Sequence, residues 1–536
     1  MNSLVILLPT LLLLISAVGI AVLHQFRPSV GYAWLWASGA ALLALGLMIY
    51  LRWQLPLELA IESWNAFPGS TTLPVFRLDD VSWPYALSLA ALLLAVLWTD
   101  SARLEGDARP RNWSLSLLVA GLGLMGVLAG SPLALILVWT ALDLLELVIV
   151  IGTSAGRQFG EQTVIQFSVR VTGTLLVMAA VLYGNALGVP LVLNPIPSEL
   201  AIFMLLSAGL RLGVLPLNLP YTSEVYVWRG FGNLLRMVGP ATSLVVLGHM
   251  PPEVVPDAWR SLFLFLTALA GLYGAGMWLA SAPTSPGRPY WVIATAALAV
   301  ASVVMGDPQA SMAWGVAALL SGSLLFLFTA QRRQIMFIPL LGMVGLAGLP
   351  FTPAAVGWRG VIAQPFNGFS LLFMLIVLLL LWGFLRRIFI PHAELYRMER
   401  WVHTVYPAGL LLLVLTQWLI AFFTWREVLL PPAWWAPVVV TVLALAGGSL
   451  VYSLRNRLSL ESIRDRWLVL FARRLGSFLA ALFGLGWLYR LLGWIYSGVQ
   501  GLVHLLTAIF EGDGGVLWAL VMLAVLISLL NTGVSP

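Results

Sequence analysis

Apolar residues run along this chain in long blocks separated by short polar segments, with neither strict alternation nor sustained amphipathic striping. The blocks lie near residues 3–23, 31–51, 82–99, 113–130, 133–152, 164–186, 200–218, 230–249, 260–281, 290–306, 309–330, 335–352, 368–385, 405–425, 434–453 and 515–531. Each is about the length that crosses a hydrocarbon core roughly 30 Å thick. The pattern predicts an all-α, polytopic membrane protein with about 16 transmembrane helices. The first block lacks the positive flank and small-residue cleavage site of a secretory signal, so it reads as a mature span.

Composition agrees. Of 536 residues, 60% are hydrophobic and 9% charged, against about 25% charged in a soluble domain. Charge then orients the helices. All 28 Lys and Arg positions are arginine; 20 fall in the odd-numbered loops, 5 in the even-numbered loops (Arg52, Arg77, Arg260, Arg359, Arg426) and 3 inside spans. Cytoplasmic loops collect positive charge. The bias therefore predicts cytoplasmic odd loops, both termini outside, and residence in the cell's inner (cytoplasmic) membrane.

Other chemistry is thin. Without cysteine there are no thiolate clusters, cysteine-ligated iron–sulfur centres or disulfides. The five histidines show no ligand spacing, and neither a Walker loop nor a dinucleotide fingerprint occurs. We expect no metal, no cofactor, no nucleic-acid partner and no catalytic site of its own. Any redox chemistry would belong to other subunits.

Charges within spans are costly and mark pathways or helix pairs. Asp143 and Glu146 in "LVWTALDLLELVIVIG" are three residues apart and share a helical face. Arg170, Arg211 and Arg236 sit in the next three spans. Two acids and three bases could neutralise one another. Pro216 and Pro220 interrupt the seventh span, and Pro350 and Pro353 the twelfth. If spans 4–8 and 9–13 are two five-helix units, both breaks fall in the fourth helix of a unit. Interrupted helices at matching positions of two halves point to a transport site, because unwound backbone is tolerated only in a cavity or inside protein.

These segments carry a resemblance. "FRLDDVSWPYALSLAALLL", "SPLALILVWTALDLLELVIVIG", "LRLGVLPLNLP", "VAALLSGSLLFL" and "GLAGLPFTPAAVGWRG" resemble the antiporter-like membrane subunits of respiratory complex I, of Mrp cation antiporters and of related hydrogenases. The chain is most similar to the distal complex I subunit with a C-terminal lateral helix. The resemblance implies residues 1–112 as three N-terminal helices, 113–249 and 260–390 as two inverted five-helix repeats, 400–453 as helices 14 and 15, and 455–536 as a lateral amphipathic helix with a final anchor. It also implies partners: the lipid bilayer, other membrane subunits of the same family, and a soluble redox protein or a zinc protein.

The departures bear on activity. Where the family has glutamate after tryptophan, Trp139 is followed by Thr140. The lysine of the first broken helix is replaced by Arg211 and the histidine beyond it by Asn218. The histidine and lysine of the central helix become Ala318 and Gly322, and the lysine of the second broken helix has only Arg359 nearby. A further histidine aligns with Arg236. Arginine holds its proton where a buried lysine releases it. Asp143, Glu146, Arg170, Arg211, Arg236 and Arg359 are thus the candidate ion-path or buried-charge residues, and Arg211 is expected to pair with Asp143 or Glu146. Three functions follow: a subunit with degraded proton translocation that binds partners, an active proton or cation translocator coupled to redox or antiport, or the membrane subunit of an inorganic-carbon uptake system.

The charge bias places residues 100–112 and 386–404 in the cytoplasm. Cysteines introduced there should resist an impermeant thiol reagent added outside sealed cells, and labelling of both loops would reverse the orientation.

Overall fold

The computed structural model describes residues 2–457, apart from 27–31, 62–72, 104–109, 154–156, 222–228, 282–286, 330–334, 363–364, 390–398 and 426–432, and beyond these only Trp494, Ser497, Leu523 and Ala524. The chain divides into a unit Met1–Arg464 and a unit Asp465–Pro536. The expected lateral helix and the anchor near 515–531 lie almost wholly outside the described residues, as do parts of both loops named above.

Helices form where the apolar blocks lie: α1 Leu8–Phe26, α2 Ala33–Leu51, α3 Ser82–Asp100, α4 Pro110–Val127, α5 Pro132–Thr153, α6 Arg157–Leu187, α7 Ser198–Leu212, α8 Arg229–Gly248, α9 Asp257–Ala280, α10 Arg288–Val304, α11 Pro308–Leu327, α12 Phe337–Ala347, α13 Pro353–Gly357, α14 Gly368–Ile388, α15 Val402–Thr424 and α16 Trp435–Arg457. Ten spans among the described residues are long and apolar enough to cross a membrane. The protein is an all-α, multi-pass membrane protein.

Burial sorts these helices. The apolar windows of α3, α8 and α11 are almost entirely inside the protein. α3 is apolar on every side, the mark of a helix surrounded by others, and it packs against α2, α4, α8, α11 and α15. α1, α2 and α6 lie at the periphery and expose large apolar side chains such as Ile15, Leu43 and Leu182.

One element has no counterpart in the hydropathy pattern. β1 Leu57–Ala60 and β2 Val75–Leu78 pair antiparallel, Leu57 opposite Leu78. β2 also exchanges backbone hydrogen bonds with the α4–α5 connection: Arg77 donates to the Leu128 carbonyl at 2.7 Å and Gly130 to the Val75 carbonyl at 2.8 Å. Four-residue strands are too short to show alternation against apolar neighbours.

Both broken helices end in the same way. α7 stops at Gly213 (φ 79°) and α12 at Gly348 (φ 75°), left-handed positions that glycine occupies at little cost. Asn218 ties the first break together, its amide donating to the carbonyls of Leu210 and Pro216, each at 3.1 Å. At the second, Thr352 is extended before Pro353 (φ −116°, ψ 154°), as a residue preceding proline prefers.

Tryptophans set against glycines fill the later part of the bundle. A Cβ on Gly322 would overlap the Trp291 indole, one on Gly383 the Trp278 indole, and one on Gly357 the Trp314 indole. Each indole N–H finds a backbone carbonyl beside its glycine: Trp291 to Ala318 at 2.9 Å, Trp278 to Leu380 at 3.2 Å, Trp314 to Gly357 at 2.8 Å. A buried tryptophan N–H usually finds such a partner, and at these three positions the missing side chain lets the ring reach it. Gly322→Ala should therefore lower the thermal midpoint, at a cost of about 1–3 kcal/mol for overpacking a rigid ring. Gly276→Ala, whose new methyl meets nothing within 4 Å, should leave the midpoint unchanged or raise it.

Candidate functional site: a buried charge network at the first broken helix

α5 supplies two acids from one buried face, Asp143 and Glu146, whereas Thr140 lies exposed and returns its hydroxyl to the Ile136 carbonyl at 2.7 Å. The arginines arrive from α6, α7 and α8. Arg211, on the last turn of α7 just before the break, grips Asp143 with both terminal nitrogens, at 2.7 and 2.9 Å. It also donates to the Arg170 carbonyl at 3.1 Å and to Thr174 Oγ1 at 3.3 Å. The Trp139 ring lies beneath it, 4.1 Å from the guanidinium carbon. A bidentate pair stacked on an aromatic face uses properties of arginine that lysine lacks.

Glu146 is held from two sides. Arg170 forks onto both of its oxygens, with Nη2 to Oε1 at 2.9 Å, and Arg236 Nη1 donates to Oε1. Arg170 also reaches the Pro220 carbonyl at 3.0 Å, within the break, and approaches Asp143 Oδ1 at 3.7 Å. The five charges thus form one network across α5–α8, and the unwound backbone after Gly213 supplies one of its acceptors. Unwinding inside the membrane is tolerated because these freed groups are re-paired.

Gly173 makes the crossing possible. A Cβ there would stand 2.7 Å from Arg211 Cγ, so the arginine stem passes over α6 where a side chain is missing. Ser207 locks the same contact by donating to the Gly173 carbonyl at 2.6 Å. Neither residue stood out in the sequence, because small residues at helix crossings carry no charge signal.

Other candidate positions lie apart. Arg359 pairs with Asp307 at 2.5 and 3.1 Å, away from the network. Asp307 also caps α11 by accepting from Ala310 N at 3.0 Å. Ala318 and Gly322 face Trp291, and Pro350 and Pro353 bound the second break. From α9 through α14, the Asp, Glu, Lys, Arg and His positions of the described residues lie at or near helix ends; α11 and α12 contain none.

A second polar cluster centres on Asp79, just ahead of α3. One carboxylate oxygen accepts from Asn194 at 2.5 Å and meets His249 Nε2 at 3.1 Å; the other accepts the amide of Ser82 at 2.8 Å. Burial raises the Asp79 pKa, but the His249 and Ser82 interactions outweigh it and hold the carboxyl well below the usual range. This cluster fastens the end of α8 to the start of α3. Its members are too distant in sequence for spacing to reveal them. Among the described residues no group of three His, Cys, Asp or Glu could hold a metal ion.

Replacing Arg211 by leucine strands Asp143 in a low-dielectric site, where breaking a buried pair costs about 3–5 kcal/mol. The double replacement Arg211→Leu with Asp143→Asn should recover much of that loss. Thermal unfolding of the purified variants measures both, and a single variant as stable as the parent would refute a structural role for the pair.

No protein-family model matches the chain, and no curated protein sequence does. Solved structures do. A chain of the Mrp complex from a Dietzia species superposes with a TM-score of 0.72 at 16% identity over 98% of this chain and 63% of that one. The archaeal membrane-bound sulfane sulfur reductase, a respiratory membrane complex, gives 0.67 at 13% identity over 97% and 100%. Respiratory complex I from Thermus thermophilus gives 0.58 at 18% identity over 78% and 98%. This chain spans about 63% of the length of the Mrp chain it matches. At these identities the likeness establishes the fold, and the fold is the one found in membrane subunits of these three assemblies.

Proposed function

We propose that the chain is an antiporter-like membrane subunit of a larger complex I-type or Mrp-type assembly, in which proton relay has given way to fixed charge and aromatic packing, and that it serves by binding neighbouring membrane subunits. The observation that carries this reading is Arg211. It occupies the position that resembles a proton-path lysine, and it is closed bidentately on Asp143. A guanidinium neither releases a proton at ordinary pH nor, so held, swings toward a second acceptor.

Trp291 supports the same reading from the other half. Its ring fills the space that a side chain at residue 322 would take, and its N–H occupies the Ala318 carbonyl. A relay needs groups that take and release protons within reach of one another; here an alanine and a glycine stand at those positions, and the Trp291 indole packs against them. The rest of the proposal follows the resemblance, with two inverted five-helix repeats at 113–249 and 260–390 and a lateral helix within 455–536 bracing a neighbour, and the arginine bias, with both termini outside and the cytoplasmic membrane as location.

The rival reading keeps Asp143 and Glu146 as proton carriers. It is favoured by a small cavity that both acids line together with Gln166 and Arg170. Removing charge in pairs separates the two. Asp143→Asn with Arg211→Gln deletes an acid while keeping the net charge. In sealed vesicles the intact assembly carrying this double variant should transport as the parent does, and loss of flux without loss of assembly would overturn the proposal.

A further inference from the structure

The Asp79 cluster holds a histidine that the charge network does not use. His249 stands one residue past the end of α8, with its side chain 10% exposed. Nδ1 lies 3.0 Å from the Val245 carbonyl oxygen and Nε2 3.1 Å from Asp79 Oδ2. Both ring nitrogens face oxygen acceptors. A neutral imidazole carries one N–H and one lone pair, and only the imidazolium donates from both nitrogens.

Neither acceptor is placed to carry the second hydrogen. A backbone carbonyl has none, and Asp79 is ringed by donors. Its Oδ1 accepts the amides of Val81 at 3.0 Å and Ser82 at 2.8 Å, and its Oδ2 accepts from Asn194 Nδ2 at 2.5 Å. Arg77 Nε lies 3.5 Å from the same Oδ2. Such surroundings favour the carboxylate over the acid. Val245 is one of the last four residues of α8, whose carbonyls lack a partner within the helix, and the His249 amide turns to the Val246 carbonyl at 3.2 Å. Ring Nδ1 fills the place that the backbone leaves, at the helix end where a cation is favoured.

We propose that His249 is a pH-sensitive latch. Doubly protonated, it ties the end of α8 to the segment that opens α3, with Asn194 of the α6–α7 connection held on the same carboxylate oxygen. When the ring gives up one proton to water, one of its two contacts sets a lone pair against oxygen, and the tie opens. Histidine changes its charge between roughly pH 5 and 8, where carboxylates and guanidiniums keep theirs. Among the described residues the other charges around the cluster are of those two kinds. Arg77 lies 3.5 Å from Glu58, Asp80 pairs with Arg52, Asp257 with Arg260, and Asp307 at the start of α11 with Arg359. Glu199 on α7 and Glu253 on the α8–α9 connection are exposed. The latch is complete at the acid end of the interval and is lost as the pH rises. Asn194 leads into α7, which carries Arg211, and α8 carries Arg236, so the latch holds two helices of the charge network at the ends away from it. This inference stands whether or not the chain relays protons.

The test follows amide hydrogen exchange in the full chain, purified, at about pH 5.5 and about pH 8, on either side of the histidine range, with rates corrected for the chemical effect of pH. Segments 79–83 and 245–250 should exchange about tenfold faster at the higher pH, the effect of losing one hydrogen bond to a charged group. His249→Gln keeps a neutral donor at every pH, and its corrected rates should agree at the two values. Equal corrected rates in the parent would overturn the latch, and so would the parent's pH dependence persisting in His249→Gln. If that variant fails to fold, exchange of the ring Cε1 hydrogen in the parent, which follows the protonation of each histidine separately, decides the question. His249 should lose its proton over the interval in which the two segments open, and a ring already neutral where they are best protected would refute the proposal.

Discussion

Three guanidiniums and two carboxylates buried together in a lipid-embedded bundle impose the constraint that organises the first half of this protein. Each charge must be met at hydrogen-bonding distance, because neither lipid nor packed side chains solvate it. Meeting that requirement brings α5, α6, α7 and α8 to one point, selects glycine at residue 173 where the Arg211 stem crosses, and puts the carbonyls of the broken helix to use as acceptors. The break at Gly213 and the network are therefore one structure. Unwound backbone offers Arg170 a carbonyl that a continuous helix would have used itself, and the arginine in turn satisfies backbone that the membrane could not.

The second half meets the same membrane by the opposite means. Among the described residues its charges stand at or near helix ends, where Arg288 and Arg387 stack on the Phe326 and Trp278 rings, and between those ends aromatic rings fill the interior, with indole N–H groups donating to backbone carbonyls. Trp291, Trp278, Phe326 and Phe384 pack as one aromatic cluster, with ring centroids 5.0–6.5 Å apart. Close packing of this kind is rigid. A hydrated path through it would have to displace rings that already meet glycine backbone. The segments around the two similarly terminated breaks thus differ, one crossed by a buried charge network and the other packed with aromatic rings, and this contrast supports the proposal that the chain binds partners and does not relay protons.

Much of this was legible in the sequence. Block hydropathy specifies membrane helices because length and apolarity alone decide whether a segment can cross the bilayer, and apart from the short α13 the helices of residues 8–457 overlap the predicted blocks. The prolines marked both breaks, since proline removes a backbone donor wherever it stands. Asp143, Glu146, Arg170, Arg211 and Arg236 stood out because a charge in a span is conspicuous without any knowledge of its neighbours.

Only the tertiary structure decided who meets whom. Sequence left Arg211 a choice between two acids separated by one helical turn; the packing of α5 to α8 gave it Asp143 and left Glu146 to Arg170 and Arg236. It could not reveal that Gly322 is empty because Trp291 fills the space, since the two residues lie on different helices and neither carries charge. The Asp79 cluster and the small hairpin escaped for the same reason: their partners are far apart along the chain and meet only after folding. Periodicity, length and local chemistry are properties of a segment and can be read from it. Pairing, packing and charge balance are properties of segments brought together, and they exist only in three dimensions.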